Sequence, residues 1–133
     1  MTVLILINDA PYGTEKAYNA LRLAMALQKD HPTAQVNVFL MADAVSCAVQ
    51  NQNTPQGYYN IERMLKSILG KGGKVKACGT CADARGIRNV QLAPSGLAPS
   101  GLAPSGLAPS GLIEGAEISN MSELAQWTVE AVK

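Results

Sequence analysis

Two cysteines, Cys78 and Cys81, carry the most reactive chemistry that this sequence offers. A thiolate is a strong nucleophile near neutral pH, so such a pair can transfer sulfur, exchange disulfides or bind a metal. The pair stands at the end of a short run that predicts a strand from Lys74 to Cys78. Ligands and catalytic groups collect at the carboxyl ends of strands in open α/β sheets, which makes this strand end the first candidate site.

Several neighbours of the pair can stabilise a thiolate. Arg85 and Lys76 can supply positive charge near Cys78, and the N–H groups of the turn that begins with Gly79 and Thr80 can hold an anion. A strand end also leaves the sulfur accessible to a partner. These residues fit a carrier that takes a persulfide sulfur onto Cys78 and presents it to an acceptor.

Cys81 and Asp83 each have two interpretations. Cys81 can resolve a persulfide on Cys78 into a disulfide with release of sulfide, or it can simply pack. Asp83 can orient Arg85 or remain solvated, and the sequence does not decide between them. Both cysteines can also be small buried residues at the top of a strand, because free cysteine is often buried.

Dithiol redox chemistry and zinc binding are the competing interpretations of the cysteines. A Cys-x-x-Cys motif near a βαβ pattern is typical of thioredoxin-like sites, but no Trp is adjacent and no helix is evident at Cys78, which favours sulfur handling. Zinc would need four ligands, which would have to come from the three cysteines and His31. We expect His31 at a helix end on the opposite edge of the sheet, and we therefore predict no metal, with a zinc shared between subunits left open.

Residues near other predicted strand ends are weaker candidates. Asp9 follows the first strand and can line the same pocket, although an Asp before Ala-Pro equally favours a turn. Tyr12 begins the first helix, whose N-terminus suits an anion, but without a GxGxxG or Walker sequence nucleotide binding is not expected. Tyr58 and Tyr59 can line the floor of the cleft or pack between subunits. Cys47 lies among apolar neighbours and is predicted to be buried packing.

Alternating apolar runs and amphipathic segments place these residues in an α/β fold. The predicted strands are Val3–Ile7, Val36–Met41, Lys74–Cys78 and a weak strand or turn at Ala116–Ser119. The predicted helices run from a cap at Thr14 to His31-Pro32, from Ala42 to Val49, from about Tyr58 to Leu69, and from Asn120 to Ala131 with Trp127 in the core. Connections of helix length imply parallel pairing and right-handed crossovers.

A short tandem repeat interrupts this pattern, because Leu-Ala-Pro-Ser-Gly occurs four times over residues 92–111. Pro and Gly in every copy exclude a continuous helix or a central strand, so the repeat predicts an exposed loop within a single domain of residues 1–133. A repeat expansion or an engineered insertion in a tolerant loop is favoured over a partner-binding arm.

Composition excludes several classes of protein. The 11 Lys and Arg residues nearly balance the 10 Asp and Glu residues, so neither nucleic acid nor an anionic membrane is expected as a direct partner. No apolar run approaches 18 residues, and residues 1–10 do not resemble a leader peptide. Together with three cysteines in a small chain, this predicts a cytoplasmic protein whose thiols are free.

Five motifs in order carry a family resemblance: Asn8 to Thr14, Phe39 to Val45, Gly57-Tyr58 with Asn60-Ile61, Cys78 to Ile87, and Leu112 to Ile118 followed by Leu124 to Thr128. On these motifs the chain resembles the DsrE/DsrF family, and within it the YchN-like branch. The resemblance covers almost all of the chain outside the repeat, which is foreign to the family pattern.

The resemblance implies a flavodoxin-like three-layer sandwich with a mainly parallel sheet, a homo-oligomer (a trimer or a hexamer) and a role in sulfur handling. In the sulfur-transfer branches, a cysteine that takes up a persulfide precedes an Arg-Gly pair by the interval that separates Cys78 from Arg85-Gly86. Family chains usually continue past the last helix into a short apolar strand, so the resemblance predicts an exposed sheet edge in this chain unless another segment takes the place of that strand.

The function predicted from the sequence is acceptance and transfer of persulfide sulfur at Cys78, without a cofactor. The expected partners are sulfur donor and acceptor proteins and other copies of the chain. A non-catalytic oligomeric scaffold or binding module is the alternative, and a Cys-x-x-Cys dithiol redox protein is the third interpretation.

Overall fold

Four parallel strands form the sheet of this protein. The computed structural model describes residues 1–87 and 111–132. Within them the strands lie side by side in chain order: β1 (Thr2–Ile7), β2 (Gln35–Leu40), β3 (Lys74–Cys78) and β4 (Ala116–Ser119). Because every pair is parallel, all four strands end at the same edge of the sheet, with Ile7 opposite Leu40 and Cys78 opposite Ser119. We call this the carboxyl edge.

Helices cover both faces of the sheet. The described helices are α1 (Lys16–Asp30), a 3-10 helix (Ala42–Ala48), α2 (Ile61–Gly70), α3 (Gly79–Ala84) and α4 (Met121–Ala131). The helices α1 and α2 pack on one face, whereas α4 crosses the other face and contacts β1. The predicted three-layer α/β architecture with a parallel sheet is confirmed.

Each face of the sheet has its own hydrophobic core. On the α1 and α2 face, small and branched side chains from both helices are fully buried against the strands, as at Leu21 and Leu65. On the α4 face, Phe39 packs against Trp127 with the ring centroids 6.2 Å apart and the planes nearly perpendicular, a favourable edge-to-face geometry. Trp127 is buried, which confirms its predicted place in the core.

The start of α2 differs from the sequence prediction. The helix begins at Ile61 rather than near Tyr58, because the Asn60 side chain accepts a hydrogen bond from the Arg63 N–H at 3.0 Å and so ends the preceding loop. The capping residue of α4 was predicted correctly, since Asn120 accepts from the Glu123 N–H at 2.9 Å.

The two capping asparagines allow a matched test of stability. Asn60 is buried, and its side-chain amide also donates to the Gln52 carbonyl at 3.1 Å, whereas Asn120 is exposed. We expect Asn120→Ala to lower the free energy of unfolding by about 1 kcal/mol, and Asn60→Ala to lower it by about 2 kcal/mol because the part-buried Gln52 carbonyl also loses its donor. Urea denaturation of both variants checks this, and equal losses would contradict it.

The repeat of residues 92–111 lies outside the described residues except for Gly111, so its predicted conformation and the single-domain boundaries stay predictions. After this segment the chain is anchored at Leu112 and Ile113. Leu112 is fully buried and forms an antiparallel bridge with Val49, and the Ile113 N–H donates to the Ala48 carbonyl at 2.8 Å. This anchor sets the position from which β4 begins.

None of the helices in the described part of the chain combines the length and the apolar character needed to cross a bilayer. Among the described residues, β1 and β4 are the outermost strands of the sheet, because each pairs with one neighbouring strand only.

Candidate functional site

The candidate site is built where β3 runs into α3. Cys78 is the last residue of the strand and caps the N-terminus of α3, and its half-buried side chain packs against the cores on both faces of the sheet. The expectation that no helix opens at the first cysteine was wrong. Six residues are too few to show a helical periodicity in the sequence, although they complete more than one turn.

The short helix brings the second thiol back to the first. Cys81 lies in α3, and its thiol is hydrogen-bonded with that of Cys78. The Cys81 sulfur also accepts a hydrogen bond from the Ala42 N–H at 3.3 Å. The hydrogen bond with Cys78, followed by desolvation on burial, raises the pKa of Cys81. Both cysteines are free thiols.

The N–H group that reaches Cys81 comes from a strained residue. Ala42 has a φ of +51°, in the left-handed region that residues with a Cβ rarely adopt. Such a conformation costs about 1 kcal/mol or more and is retained where the surrounding structure requires it. Here it directs the first N–H of the 3-10 helix toward the thiol pair.

Arg85 connects the cysteine helix to the 3-10 helix. Its Nε and Nη2 donate to Asp43 Oδ1 at 3.0 and 2.8 Å, and its Nη1 donates to the Cys81 carbonyl at 3.0 Å. We call this arrangement the Asp43–Arg85 clamp. Its positive charge lowers the pKa of Cys81, but this effect is smaller than that of the Cys78 hydrogen bond. The predicted role of Arg85 toward Cys78 itself stays a prediction.

Asp43 was missed from the sequence, although it lies in the motif from Phe39 to Val45 and comes three residues after the end of β2 at Leu40. The signal that could have found it is this position, since residues that follow neighbouring parallel strands meet at one edge.

Lys76 does not extend freely toward the thiols. Its ammonium group lies 3.5 Å from Glu123 and 4.7 Å from the centroid of the Trp127 ring, on the α4 face of the sheet. Glu123 also accepts a short hydrogen bond from the Ser119 hydroxyl, and this bond, followed by the charge of Lys76, lowers the pKa of Glu123. The charge of Lys76 is therefore largely neutralised by a partner on α4.

The other predicted site residues divide between the cysteine helix and a separate network. Gly79 is buried and Thr80 and Asp83 are exposed, all on α3 beside the cysteines. Asp9 belongs to neither the cysteine pair nor its helix; its carboxylate lies 3.6 Å from the Lys16 ammonium group. The Tyr12 hydroxyl donates to the Gln52 side chain at 2.6 Å and accepts from the Ile61 N–H at 3.0 Å, so it connects the first loop to the start of α2.

The remaining cysteine and the histidine lie elsewhere. Cys47 is fully buried in the core, and burial raises the pKa of its thiol to about 12, which confirms its predicted packing role. His31 caps the C-terminus of α1, at the opposite end from the carboxyl edge. Within residues 1–87 and 111–132, His, Cys, Asp and Glu side chains form no group of three or more that could hold a metal ion.

The sequence and fold of this chain match those of known proteins. The family model for "DsrE/DsrF-like family" matches residues 1–133. This chain belongs to the DsrE/DsrF-like family. The match confirms the predicted membership at the level of the family, which includes sulfur-relay proteins.

Relatives of this DsrE/DsrF-like chain span nearly its whole length. Protein YchN of Escherichia coli is 37% identical over 131 residues, which cover 98% of this chain and 94% of that protein. Protein MJ0989 of Methanocaldococcus jannaschii is 32% identical, with 98% and 95% covered. The crystal structure of the E. coli YchN protein superposes with a TM-score of 0.77 at 38% identity and covers 98% of this chain and 93% of that one.

The Asp43–Arg85 clamp of this DsrE/DsrF-like chain predicts an effect on thiol accessibility. Asp43→Ala frees Arg85 and loosens its hold on the Cys81 carbonyl, so we expect Cys81 to be alkylated several times faster than in the parent. The loss of stability should stay below about 1 kcal/mol, because the ion pair is partly exposed. Timed alkylation with peptide mapping measures this.

The matched control for that experiment is Asp9→Ala, which removes an exposed ion pair with Lys16. It should leave the alkylation rate of Cys81 unchanged. Equal rates in all three proteins would show that the clamp does not restrain Cys81.

Proposed function

We propose that this DsrE/DsrF-like protein accepts sulfur from a donor persulfide on Cys78 and passes it to an acceptor thiol. The observation that carries the proposal is the position of the Cys78 sulfur, which is half-buried at the carboxyl edge and hydrogen-bonded with the Cys81 thiol. A carrier needs a sulfur that can be reached by partners yet is held in one place, and a half-buried residue hydrogen-bonded with its neighbour supports that role.

The transfer proceeds in two displacements. The Cys78 thiolate attacks the outer sulfur of the donor persulfide, a new S–S bond forms on Cys78, and the donor S–S bond breaks so that the donor leaves as a thiolate. An acceptor thiolate then attacks the outer sulfur on Cys78 and restores the Cys78 thiolate. No net oxidation or reduction of the protein occurs, so no cofactor is needed.

Cys81 is placed to influence both steps. As a protonated thiol hydrogen-bonded with Cys78, it can stabilise negative charge on that sulfur. As a thiolate it can attack the Cys78 sulfur of the persulfide, which forms a Cys78–Cys81 disulfide and releases hydrosulfide. That branch leaves the protein oxidised, and an external dithiol must reduce it before another cycle.

This function involves partner proteins and other copies of the chain. The sulfur donor and acceptor are other proteins, and the chain acts as a homo-oligomer, a trimer or a hexamer, in the cytoplasm. Family membership and the three free thiols support this setting, because disulfides are rare in a reducing compartment. The near balance of charge supports the absence of direct nucleic-acid and membrane partners.

Mass spectrometry tests the proposal directly. The reduced protein is incubated with glutathione persulfide and alkylated, and its intact mass and peptides are compared with those of Cys78→Ser and Cys81→Ser. The proposal expects a gain of one sulfur mapped to Cys78, its loss in Cys78→Ser, and a longer-lived adduct in Cys81→Ser. A Cys78→Ser protein that takes up sulfur as well as the parent would overturn it.

A dithiol redox function is the second candidate, and two observations favour it. A helix begins directly after Cys78, and the two thiols are hydrogen-bonded. The Cys81→Ser variant separates the candidates, because sulfur transfer through Cys78 survives the substitution whereas dithiol chemistry does not. A protein whose thiols resist both sulfur and alkylating agent would instead support an oligomeric scaffold.

A further inference from the structure

A second surface combines stacked tyrosine rings with two arginines. It is an open groove of about 490 Å³ between α1, α2 and the residues that precede α2. We call it the tyrosine groove and define it by five of its lining residues: Tyr18, Arg22, Tyr58, Tyr59 and Arg63. None of its lining residues belongs to the cysteine site, so the proposed sulfur chemistry does not account for it.

The aromatic rings form a continuous column. Tyr59 stacks between Tyr18, with ring centroids 4.2 Å apart, and Tyr58, at 4.5 Å. The Arg22 guanidinium lies over the Tyr18 ring at 5.4 Å and closes that end of the column. At the other end Tyr58 is 52% exposed. The column therefore offers a preorganised aromatic surface at its Tyr58 end.

The groove carries two arginines, Arg22 and Arg63, that form no ion pair within the described part of the chain. The four ion pairs of the described residues use Lys16, Lys66, Lys76 and Arg85. In those residues neither Arg22 nor Arg63 forms an ion pair; Arg22 donates to the Asn19 side chain at 3.2 Å.

The segment between the two described parts of the chain adds no acidic side chain. Residues 88–110 contain no Asp or Glu, so no acidic side chain from that segment can neutralise the groove. Glu15 is close enough to the column to raise the pKa of Tyr59, although the hydrogen bond with Tyr58 is the main cause of that rise. Glu15 is not among the lining residues, so the two arginines face the groove without an acidic neighbour in its walls.

We propose that the tyrosine groove binds an acidic segment of another protein, with an apolar or aromatic anchor against Tyr58 and carboxylates paired with Arg22 and Arg63. The groove is lined mainly by Tyr, Arg and Met, with Met25 and Met64 beside the residues already named. These types are enriched at protein interfaces, where Tyr and Arg are common among the residues that dominate binding energy.

Charge argues for this occupant over two others. A second copy of the chain is nearly neutral overall and brings no excess of carboxylates. A single-stranded nucleic acid would follow a longer basic track than two arginines provide.

A peptide selection tests the proposal. A random-peptide phage library is panned on the parent protein after depletion on a Tyr58→Ala, Arg63→Glu double variant, and the selected peptide is synthesised for calorimetry. We expect a peptide with net negative charge whose binding weakens at least tenfold in Tyr58→Ala and in Arg63→Glu. The control Lys71→Glu reverses an exposed charge just after α2 and should weaken binding less than twofold.

Several results would overturn the proposal. They are a failure to select any peptide that depends on the groove, the selection of basic or neutral peptides, and equal binding to parent and variants. Sedimentation of Arg63→Glu gives one more test, because a loss of self-association would show that the groove joins copies of this chain. Arg63 is exposed, so its substitution does not threaten folding.

Discussion

Alkylation of the folded protein at neutral pH is expected to modify Cys78 while Cys47 reacts on the order of a thousand times more slowly than an ordinary thiol. Burial raises the pKa of Cys47 to about 12, so its thiolate is scarce, and its side chain is fully enclosed. Cys78 is half-buried at the carboxyl edge. Timed alkylation with peptide mapping measures both rates, and unfolding in urea should abolish the difference.

The buried thiol also makes stability depend on pH. Between about pH 9 and pH 12 the unfolded chain releases the Cys47 proton while the folded chain retains it, so raising the pH lowers the free energy of unfolding by about 1.4 kcal/mol per pH unit from this group. This contribution is fully present below about pH 9. The Cys47→Ala variant should lose this slope, which separates it from the tyrosines that titrate in the same range. An unchanged slope, or rapid native labelling of Cys47, would contradict this account.

Truncation of Phe39 is expected to cause the largest loss of stability among single changes near the site. Phe39 is 1% exposed and makes the edge-to-face contact with Trp127 that holds α4 on the sheet. Phe39→Ala should lower the free energy of unfolding by about 3–5 kcal/mol, because it leaves a cavity in a small core. That is a large fraction of the stability of a typical domain.

The same substitution should also change the reactivity of Cys78. Cys78 packs against the Phe39 cluster, so Phe39→Ala is expected to accelerate alkylation of Cys78 in conditions where the variant is still folded. Phe39→Leu retains most of the volume and should cost less than about 1.5 kcal/mol. Denaturant titration with fluorescence from Trp127 measures both variants, and similar losses for Ala and Leu would show that the cavity is not the cause.

The strand that carries the site could be predicted from the sequence, whereas the contacts around it could not. The limits of β3 at Lys74 and Cys78 follow from a glycine turn before it and a short run of strand-forming residues within it. The Asp43–Arg85 contact joins residues 42 positions apart. This contact depends on how the 3-10 helix and α3 meet after their strands end. No local sequence pattern indicates how these two helices meet.

The start of α2 shows why boundaries are harder to predict than elements. The predicted helix began near Tyr58, but in the structure Tyr58 and Tyr59 lie ahead of α2, where Tyr59 stacks between Tyr18 and Tyr58. Asn60 then fixes the first turn through its side chain. Tertiary contacts of the rings and one capping hydrogen bond therefore outweigh the periodicity over three residues.

The anchor at Leu112 has a consequence for protein engineering. The chain is held on one side by Ile87, which packs against the main core, and on the other by the bridge between Leu112 and Val49. Since β4 takes its position from that bridge, we expect units added or removed between residues 88 and 110 to leave the sheet unchanged. Lengthening such a connection from one pentapeptide to four costs only about 1.2 kcal/mol in closure entropy. We therefore expect the chain between residues 88 and 110 to accept grafted loops, affinity tags or reporter peptides.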